Sequence, residues 1–329
     1  MRARPRTSVL TAGLAVLALG LAACGDSSST ADSRVSAAPS EEAAANALPT
    51  GGSGTVVIGS ANFPENRILA EVYEQALDAA GFDAQTKDLT TRPVIIPQVT
   101  SGEIDVEPDY VGALTEYFNL EVNGPDAPII ANNDLEFTLA QARMFGEAAG
   151  LTILDASPAA DQNAFAVTQA FADEYGLEKL SDLSKVTEPL VLGGTPECQT
   201  YSLCLPGLEA TYGLEFEFMQ TDLGGPLTQA ALNNGTVNVN QYLSSDGTAP
   251  SNGFVILEDD KGSAPVDNVI PVVGEEYATN EVLLEVLNKV SAAMTTEDLL
   301  GLNASVSVDR KLPAEAATDF LVAKGFITA

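Results

Sequence analysis

The chain has 329 residues, with 15 Lys or Arg against 46 Asp or Glu and a net charge of −31 at pH 7. Nucleic acid is excluded as a partner, because binding phosphates requires basic surface. Histidine is absent, which excludes Ser-His-Asp and Cys-His catalytic sites and histidine-ligated metals. The acidic residues are spread along the chain. This indicates a solubilising surface, and attraction of cations is the alternative interpretation.

The first 23 residues have the pattern of a secretory signal peptide. Three arginines precede an apolar run, Val9 to Ala23, which is too short and too rich in Ala and Gly for a membrane span. The ending LAAC resembles a bacterial lipobox, which implies cleavage before Cys24 and lipid on its thiol. The protein is then anchored at the outer face of the cell membrane by lipid on Cys24. A plain secreted protein is the alternative.

Residues 24–53 contain mostly Ser, Ala, Gly, Pro and acidic residues. Such a segment cannot bury enough apolar surface to offset the entropy lost on ordering. We therefore predict a lipid-anchored flexible tether that keeps the following domain close to a membrane.

From residue 54 on, predicted strands alternate with predicted helices. The first series has strands at 55–60, 82–89, 104–107 and 151–157, with helices at 65–81, 94–101, 110–118 and 134–150. The second has strands at 164–169, 189–194, 216–220, 236–240, 253–259 and 268–274, with helices near 207–212 and 225–235 and, at the end, 280–294, 296–303 and 313–324. This alternation predicts an α/β fold with parallel sheets and ligand clefts at the carboxyl ends of strands. No phosphate-binding loop or GxGxxG motif precedes a helix, and no cofactor or metal is expected.

Cys198 and Cys204 lie in the proline-flanked loop PECQTYSLCLPG. An exported protein meets an oxidising environment, so a local disulfide between Cys198 and Cys204 is predicted. Two buried free thiols are the alternative.

Five stretches in order carry a resemblance to a known family. They are VVIGSANFPENRILAEVYEQAL, SGEIDVEPDYVGAL, TPECQTYSLCLPGLEATYGLEF, ALNNGTVNVNQYLSSDG and FVILEDDKGSAPVDNVIPVVG. Together they resemble the substrate-binding lipoproteins of glycine betaine/carnitine/choline (quaternary amine, osmoprotectant) ABC transporters, a group of type II periplasmic binding proteins. The resemblance implies a two-lobed α/β fold with two crossovers and a ligand cleft between the lobes. Lobe 1 is placed at 54–157 plus 262–329, and lobe 2 at 158–261.

The resemblance also implies a ligand site, because the family holds the trimethylammonium group in a cage of tyrosines through cation–π contacts. Tyr110 matches the first cage tyrosine and Phe165 matches the second. The third position falls at Leu243, beside Tyr242, and the fourth falls near Asp267. Ala61 and Tyr201 stand where the family has Lys and Arg, and Asp267 adds a negative charge, so the expected ligand shifts from a zwitterion such as glycine betaine towards a net cation such as choline, or towards another polar solute. The expected ligand-binding residues are Asn62, Tyr110, Asn163, Phe165, Tyr242, Leu243 and Asp267.

Several of these residues have a structural alternative. Phe165 also fits the core, Asn62 also fits a helix N-cap, and Asn163 is equally open. The stretch from Ser244 to Asp246 fits either ligand contact or a turn.

The predicted function is that of an extracytoplasmic solute-binding lipoprotein of an ABC importer. It captures a small polar or quaternary-amine solute between its lobes and docks on the ABC permease subunit, without being an enzyme. Two alternatives are a ligand-sensing extracellular domain that signals to a membrane partner, and a secreted hydrolase that uses a carboxylate pair.

Overall fold

The computed structural model describes residues 47–200 and 203–328, which belong to one compact unit, Pro39–Ala329. The predicted signal peptide, Cys24, most of the predicted tether and Tyr201 lie outside the described residues. Within them, no helix combines the length and the apolar character that a membrane crossing requires.

Two five-stranded sheets form the framework of the protein. The first, in lobe 1, has the order β2-β1-β3-β10-β4. Its strands are β1 (Thr55–Ser60), β2 (Asp83–Asp88), β3 (Val106–Tyr110), β4 (Thr152–Ile153) and β10 (Val269–Val273). The second, in lobe 2, has the order β7-β6-β8-β5-β9. Its strands are β5 (Asn163–Thr168), β6 (Leu190–Gly194), β7 (Phe216–Gln220), β8 (Val239–Leu243) and β9 (Phe254–Leu257).

Helices cover both sheets. In lobe 1 they are α1 (Pro64–Ala80), α2 (Arg92–Ser101), α3 (Val111–Asn123), α4 (Leu135–Ala148), α9 (Glu281–Ala293), α10 (Thr296–Ser307) and α11 (Pro313–Ala323). In lobe 2 they are α5 (Gln169–Tyr175), α6 (Leu205–Tyr212), α7 (Pro226–Asn233) and α8 (Thr248–Ser251). Short 3₁₀ helices span Leu180–Lys185, Pro196–Gln199 and Glu275–Tyr277.

Helix α1 shows how the sequence pattern produces these elements. Pro64 occupies the first turn, where its missing N–H leaves no hydrogen bond unmade. The buried face carries Ile68, Leu69 and Val72 at helical spacing and packs in the lobe 1 core. The helix ends at Gly81, whose φ of 108° lies in the left-handed region that glycine adopts without strain.

The prediction of purely parallel sheets was wrong, because each sheet contains one antiparallel strand. Strand β10 runs antiparallel to β3 and β4, and β5 runs antiparallel to β8 and β9. Each is the first strand after the chain crosses from the other lobe, so it enters its sheet from the interlobe side. The remaining strands run out towards that side, which places their carboxyl ends at the interface.

The two crossovers run from Ile153 to Asn163 and from Leu257 to Val269. They pair through an antiparallel bridge between Ala160 and Asn268. The predicted lobe boundaries, 157/158 and 261/262, fall within these two segments, and their positions stay a prediction.

Candidate functional site

A cavity of about 400 Å³ lies between the two lobes. It opens where β1 and β8 end, and the segments that follow these strands supply half of its lining residues. The lining residues are Phe63, Pro64, Glu65, Asp161, Leu223, Gly224, Gly225, Leu243, Ser245, Asp246, Gly247, Thr248, Asn303 and Ser307. None of these is Lys or Arg, while three are acidic.

Glu65 is the central polar group of the cavity. It lies in the first turn of α1 and is only 6% exposed. Its Oε1 accepts a hydrogen bond from the Tyr110 hydroxyl at 2.5 Å, and its Oε2 accepts from the Ser245 hydroxyl at 2.5 Å and from the Asn303 side-chain amide. Because Ser245 belongs to lobe 2, this carboxyl group joins the lobes. Burial is the main cause that raises the pKa of Glu65, and the charge of Asp246 raises it further.

Asp161, on the first crossover, is the second acidic group of the cluster. The Ser245 hydroxyl lies 2.6 Å from its Oδ1 as well as 2.5 Å from Glu65. Burial, followed by the charge of Glu65, raises the pKa of Asp161 to about 8.

Two aromatic rings flank the carboxyl groups. Phe63 lines the cavity and is 39% exposed, and its ring stacks on that of Tyr110 with the centroids 6.3 Å apart. Tyr110 itself is buried in the lobe 1 core and meets the cavity through its hydrogen bond to Glu65. The accessible aromatic face therefore belongs to Phe63.

Asn303 on α10 presents an acceptor without a donor. Its Nδ2 donates to Glu65 and, at 2.9 Å, to the carbonyl oxygen of Ser245. The amide nitrogen therefore has its partners. The oxygen of the same amide, Oδ1, is buried and has no hydrogen-bond partner among the described residues. A buried acceptor without a donor costs free energy, so a ligand that brings an N–H or O–H gains by filling it.

Gly247 permits the close approach of the lobes. A Cβ at this position would lie 2.3 Å from the backbone nitrogen of Ala304 on α10. Any larger residue would push α10 away from lobe 2 and widen the gap between Asn303 and Ser245.

The structure places the predicted site residues at different depths. Leu243 lines the cavity, whereas Phe165 is 1% exposed in the lobe 2 core. Tyr242 is fully buried behind the cavity wall, where a side chain at Gly224 would meet its ring at 3.1 Å. In this conformation both rings are packed within lobe 2, and their ligand contacts stay predictions.

The two predicted asparagines do not line the cavity in this conformation. Asn62 is exposed and accepts a hydrogen bond from Arg67 at 2.8 Å. Asn163 donates to the carbonyl oxygen of Leu203 and accepts from Gln241. Their ligand contacts stay predictions.

Asp267 lies on the second crossover and binds backbone rather than the cavity. Its carboxylate accepts from the amides of Gly112 and Ala113, at 2.9 and 3.0 Å, at the start of α3. Gly112 is required here, because a Cβ would lie 2.4 Å from the carbonyl oxygen of Val266. Burial raises the pKa of Asp267 to about 7. The cation contact expected for Asp267 stays a prediction.

Cys198 and Cys204 lie side by side in lobe 2, with Cα atoms 5.0 Å apart. Both are buried. Across the described residues, no group of three or more His, Cys, Asp or Glu is arranged to hold a metal ion.

Sequence reasoning missed eleven of the lining residues, among them Phe63, Glu65, Asp161 and Asn303, and left Ser245 and Asp246 open between contact and turn. One signal was available for Glu65. It falls on the apolar stripe of α1, one turn before Ile68 and Leu69, where an unpaired acid is costly. Ser245 faces the cavity, whereas Ser244 bonds the first crossover through the carbonyl oxygen of Ala160.

Comparison with known proteins agrees with the two-lobed geometry. A family model for the substrate-binding domain of ABC-type glycine betaine transport systems matches residues 54–323. The glycine betaine-binding protein YehZ of Escherichia coli strain K12 is 28% identical over 300 residues, which cover 86% of this chain and 95% of that protein. A glycine-betaine-binding protein of Pseudomonas aeruginosa is 26% identical, over 81% of this chain and 87% of its own length.

Solved structures give the same result for the fold, a two-lobed type II periplasmic binding protein. Apo YehZ from Escherichia coli matches with a TM-score of 0.72 and 27% identity, covering 83% of this chain and 99% of that chain. The chain therefore belongs to the family of substrate-binding domains of ABC-type glycine betaine transport systems, and it is an extracytoplasmic solute-binding protein of an ABC importer rather than an enzyme.

Proposed function

We propose that this protein captures a small quaternary-amine solute in the cavity between its lobes and delivers it to the permease subunit. The observation that carries the proposal is the composition of the cavity wall: an accessible aromatic ring, Phe63, beside the carboxyl groups of Glu65 and Asp161. A trimethylammonium group has a diffuse positive charge and no N–H, and it is held best by aromatic faces and nearby negative charge. The relatives whose names include glycine betaine or carnitine support the same class of ligand.

Within that class, the wall favours choline over glycine betaine. Among the lining residues there is no Lys or Arg to bind a ligand carboxylate, and a carboxylate would face Glu65 and Asp161. Choline instead carries a hydroxyl group, which can donate to the unpartnered Oδ1 of Asn303.

A thermal-shift screen tests this proposal. Glycine betaine, choline and carnitine are added to the purified protein, and at least one should raise the midpoint of unfolding, because a ligand that binds only the folded state stabilises it. Phe63→Ala should weaken that ligand about tenfold, since a desolvated cation–π contact contributes about 1–2 kcal/mol.

Phe137→Ala is the matched control, because Phe137 is similarly exposed, at 42%, but lies on α4 away from the cavity. It should leave affinity unchanged. The proposal fails if no quaternary amine shifts the midpoint, or if the two variants behave alike.

The anchor and the cysteine pair are part of the same proposal. We propose that lipid on Cys24 holds the protein at the outer face of the membrane and that Cys198 and Cys204 form a disulfide. In expressing cells, Cys24→Ser should move the protein from the membrane fraction to the medium or periplasm. Thiol titration of the unfolded mature protein should find no free thiol at Cys198 and Cys204 until a reductant is added.

A further inference from the structure

The Ser245 hydroxyl contacts two carboxyl groups with a single proton. It lies 2.5 Å from Glu65 Oε2 and 2.6 Å from Asp161 Oδ1. A hydroxyl donates one hydrogen bond, so it serves only one of these oxygens. The other contact joins two oxygens that attract each other only if the carboxyl group carries a proton. The empty cluster therefore holds one proton more than a pair of carboxylates would.

The charged groups around Glu65 and Asp161 are mostly negative, which favours a protonated carboxyl group in this pair. Asp246 adds negative charge from the loop before α8, Asp267 from the second crossover and Asp109 from β3. Tyr110 on β3 is neutral and donates to Glu65, and α10 contributes only the amide of Asn303. The guanidinium of Arg92, on α2, is bound to Asp109 by three hydrogen bonds.

We propose that the Glu65–Ser245–Asp161 cluster exchanges its proton for the charge of a cationic ligand, so that the protein selects net cations over zwitterions. This inference rests on the proposed function, since it concerns the ligand of the same cavity. The cation supplies the positive charge that the proton supplies in the empty site.

The exchange is a simple proton transfer. The O–H bond of the Asp161 carboxyl group breaks, its electron pair stays on the oxygen, and the proton passes to the buffer. Ser245 continues to donate to one carboxylate, and the ligand charge lies against the pair. Glycine betaine carries a carboxylate of its own and has no net charge, so its binding does not favour release of the proton from the cluster.

The pH dependence follows from the position of that proton. Burial and the neighbouring Glu65 raise the pKa of Asp161 to about 8, so the empty site is mostly protonated at pH 7. Cation binding then has to expel the proton. The affinity for choline should rise about tenfold per pH unit below 8 and level off above it.

Titration calorimetry in two buffers of different ionisation enthalpy, such as phosphate and Tris, measures the released proton directly. At pH 7, choline binding should release close to one proton per protein, and at pH 9.5 almost none. If choline binds at pH 7 without proton release, the exchange is overturned while the proposed function stands. If no quaternary amine binds, both fail.

The variant Asp161→Asn tests whether the proton released on choline binding comes from Asp161. Asparagine keeps the size of the side chain but cannot titrate, so proton release at pH 7 and the pH dependence of choline affinity should both disappear. Asp155→Asn is the control on the same crossover, because the Asp155 side chain is exposed and pairs with Arg143. Full proton release from Asp161→Asn would overturn the assignment, and the wild-type calorimetry remains decisive if this variant does not fold.

Discussion

Two buried acidic clusters contact the end of β3, one through Asp109 and one through Tyr110, and they are neutralised in different ways. Asp109 is held by Arg92, whose guanidinium donates to both carboxylate oxygens at 2.6–3.0 Å. The next residue, Tyr110, donates to Glu65, which the Ser245 hydroxyl links to Asp161, and neither of these two carboxyl groups pairs with a Lys or Arg among the described residues. The first cluster carries its own cation, and the second does not.

The difference separates a structural ion pair from a binding site. A buried carboxylate beside a fixed guanidinium has its charge neutralised within the protein, and this pair holds strand β3 to helix α2. A buried carboxyl pair without a cation is neutralised only when a proton or a ligand supplies positive charge. The four predictions below test this contrast, from the largest expected effect to the smallest.

Arg92→Met should lower the free energy of unfolding by about 3 kcal/mol, because it leaves the charge of Asp109 buried and unpaired. Chemical denaturation at pH 7 measures this loss. Arg92→Lys keeps the charge but not the two-pronged geometry, and should lose about half as much. A change below about 1 kcal/mol for Arg92→Met would show that Asp109 does not depend on this partner.

Glu65→Gln should weaken choline binding about 100-fold, since the ligand loses a charged partner worth about 2–3 kcal/mol in a buried site. Calorimetry at pH 9, where the site is deprotonated, isolates this contribution from the proton exchange. Glu71→Gln on the same helix is the control, because Glu71 does not line the cavity. Equal affinities for the two variants would contradict the role given to Glu65.

The ligand-free protein should become less stable as the pH rises from 5.5 to 8.5. The pKa of Asp161 is raised to about 8 and that of Asp267 to about 7. The folded state then binds more protons than the unfolded state in this window, so the free energy of unfolding falls as these groups ionise. The midpoint of thermal unfolding should drop by several degrees.

Asp161→Asn should flatten part of that pH dependence, whereas Asp155→Asn should not. A midpoint that rises with pH would contradict the protonated state of the empty cavity.

Arg67→Gln should change the free energy of unfolding by less than about 1 kcal/mol. Arg67 pairs with Asp88 at 3.1 Å, and their side chains are 38% and 60% exposed. Water screens such pairs, so their contribution is small. Denaturation measured beside Arg92→Met compares an exposed pair with a buried one, and a loss of 2 kcal/mol or more would show that burial is not what separates them.

Much of the fold was predictable from residue patterns. The stripe of α1 and the apolar runs of β1 and β6 gave helices and strands at their observed places, because local burial sets the period of the sequence. The directions of β5 and β10 were not predictable in this way. They depend on where the chain enters a sheet, which the pattern within a strand does not record.

The site was predictable only in part. The family motifs pointed to Tyr110 and Leu243, near the cavity, but also to Phe165, which the lobe 2 core buries. Asn303 lies 238 residues from its partner Glu65 in the sequence. Both residues belong to lobe 1, at opposite ends of its sequence, so they meet only after the chain has returned from lobe 2, and no local pattern encodes this contact.

The position of β10 has a consequence for the order in which the molecule is assembled. This strand lies between β3 and β4, although it follows β4 by more than 100 residues and the whole of lobe 2 comes between them. Synthesis starts at the amino terminus, so the edge of β3 has no partner strand until Val269–Val273 has been made. Lobe 2, whose strands form one continuous stretch, can complete its sheet first. The lobe that begins the chain is therefore the last to be finished.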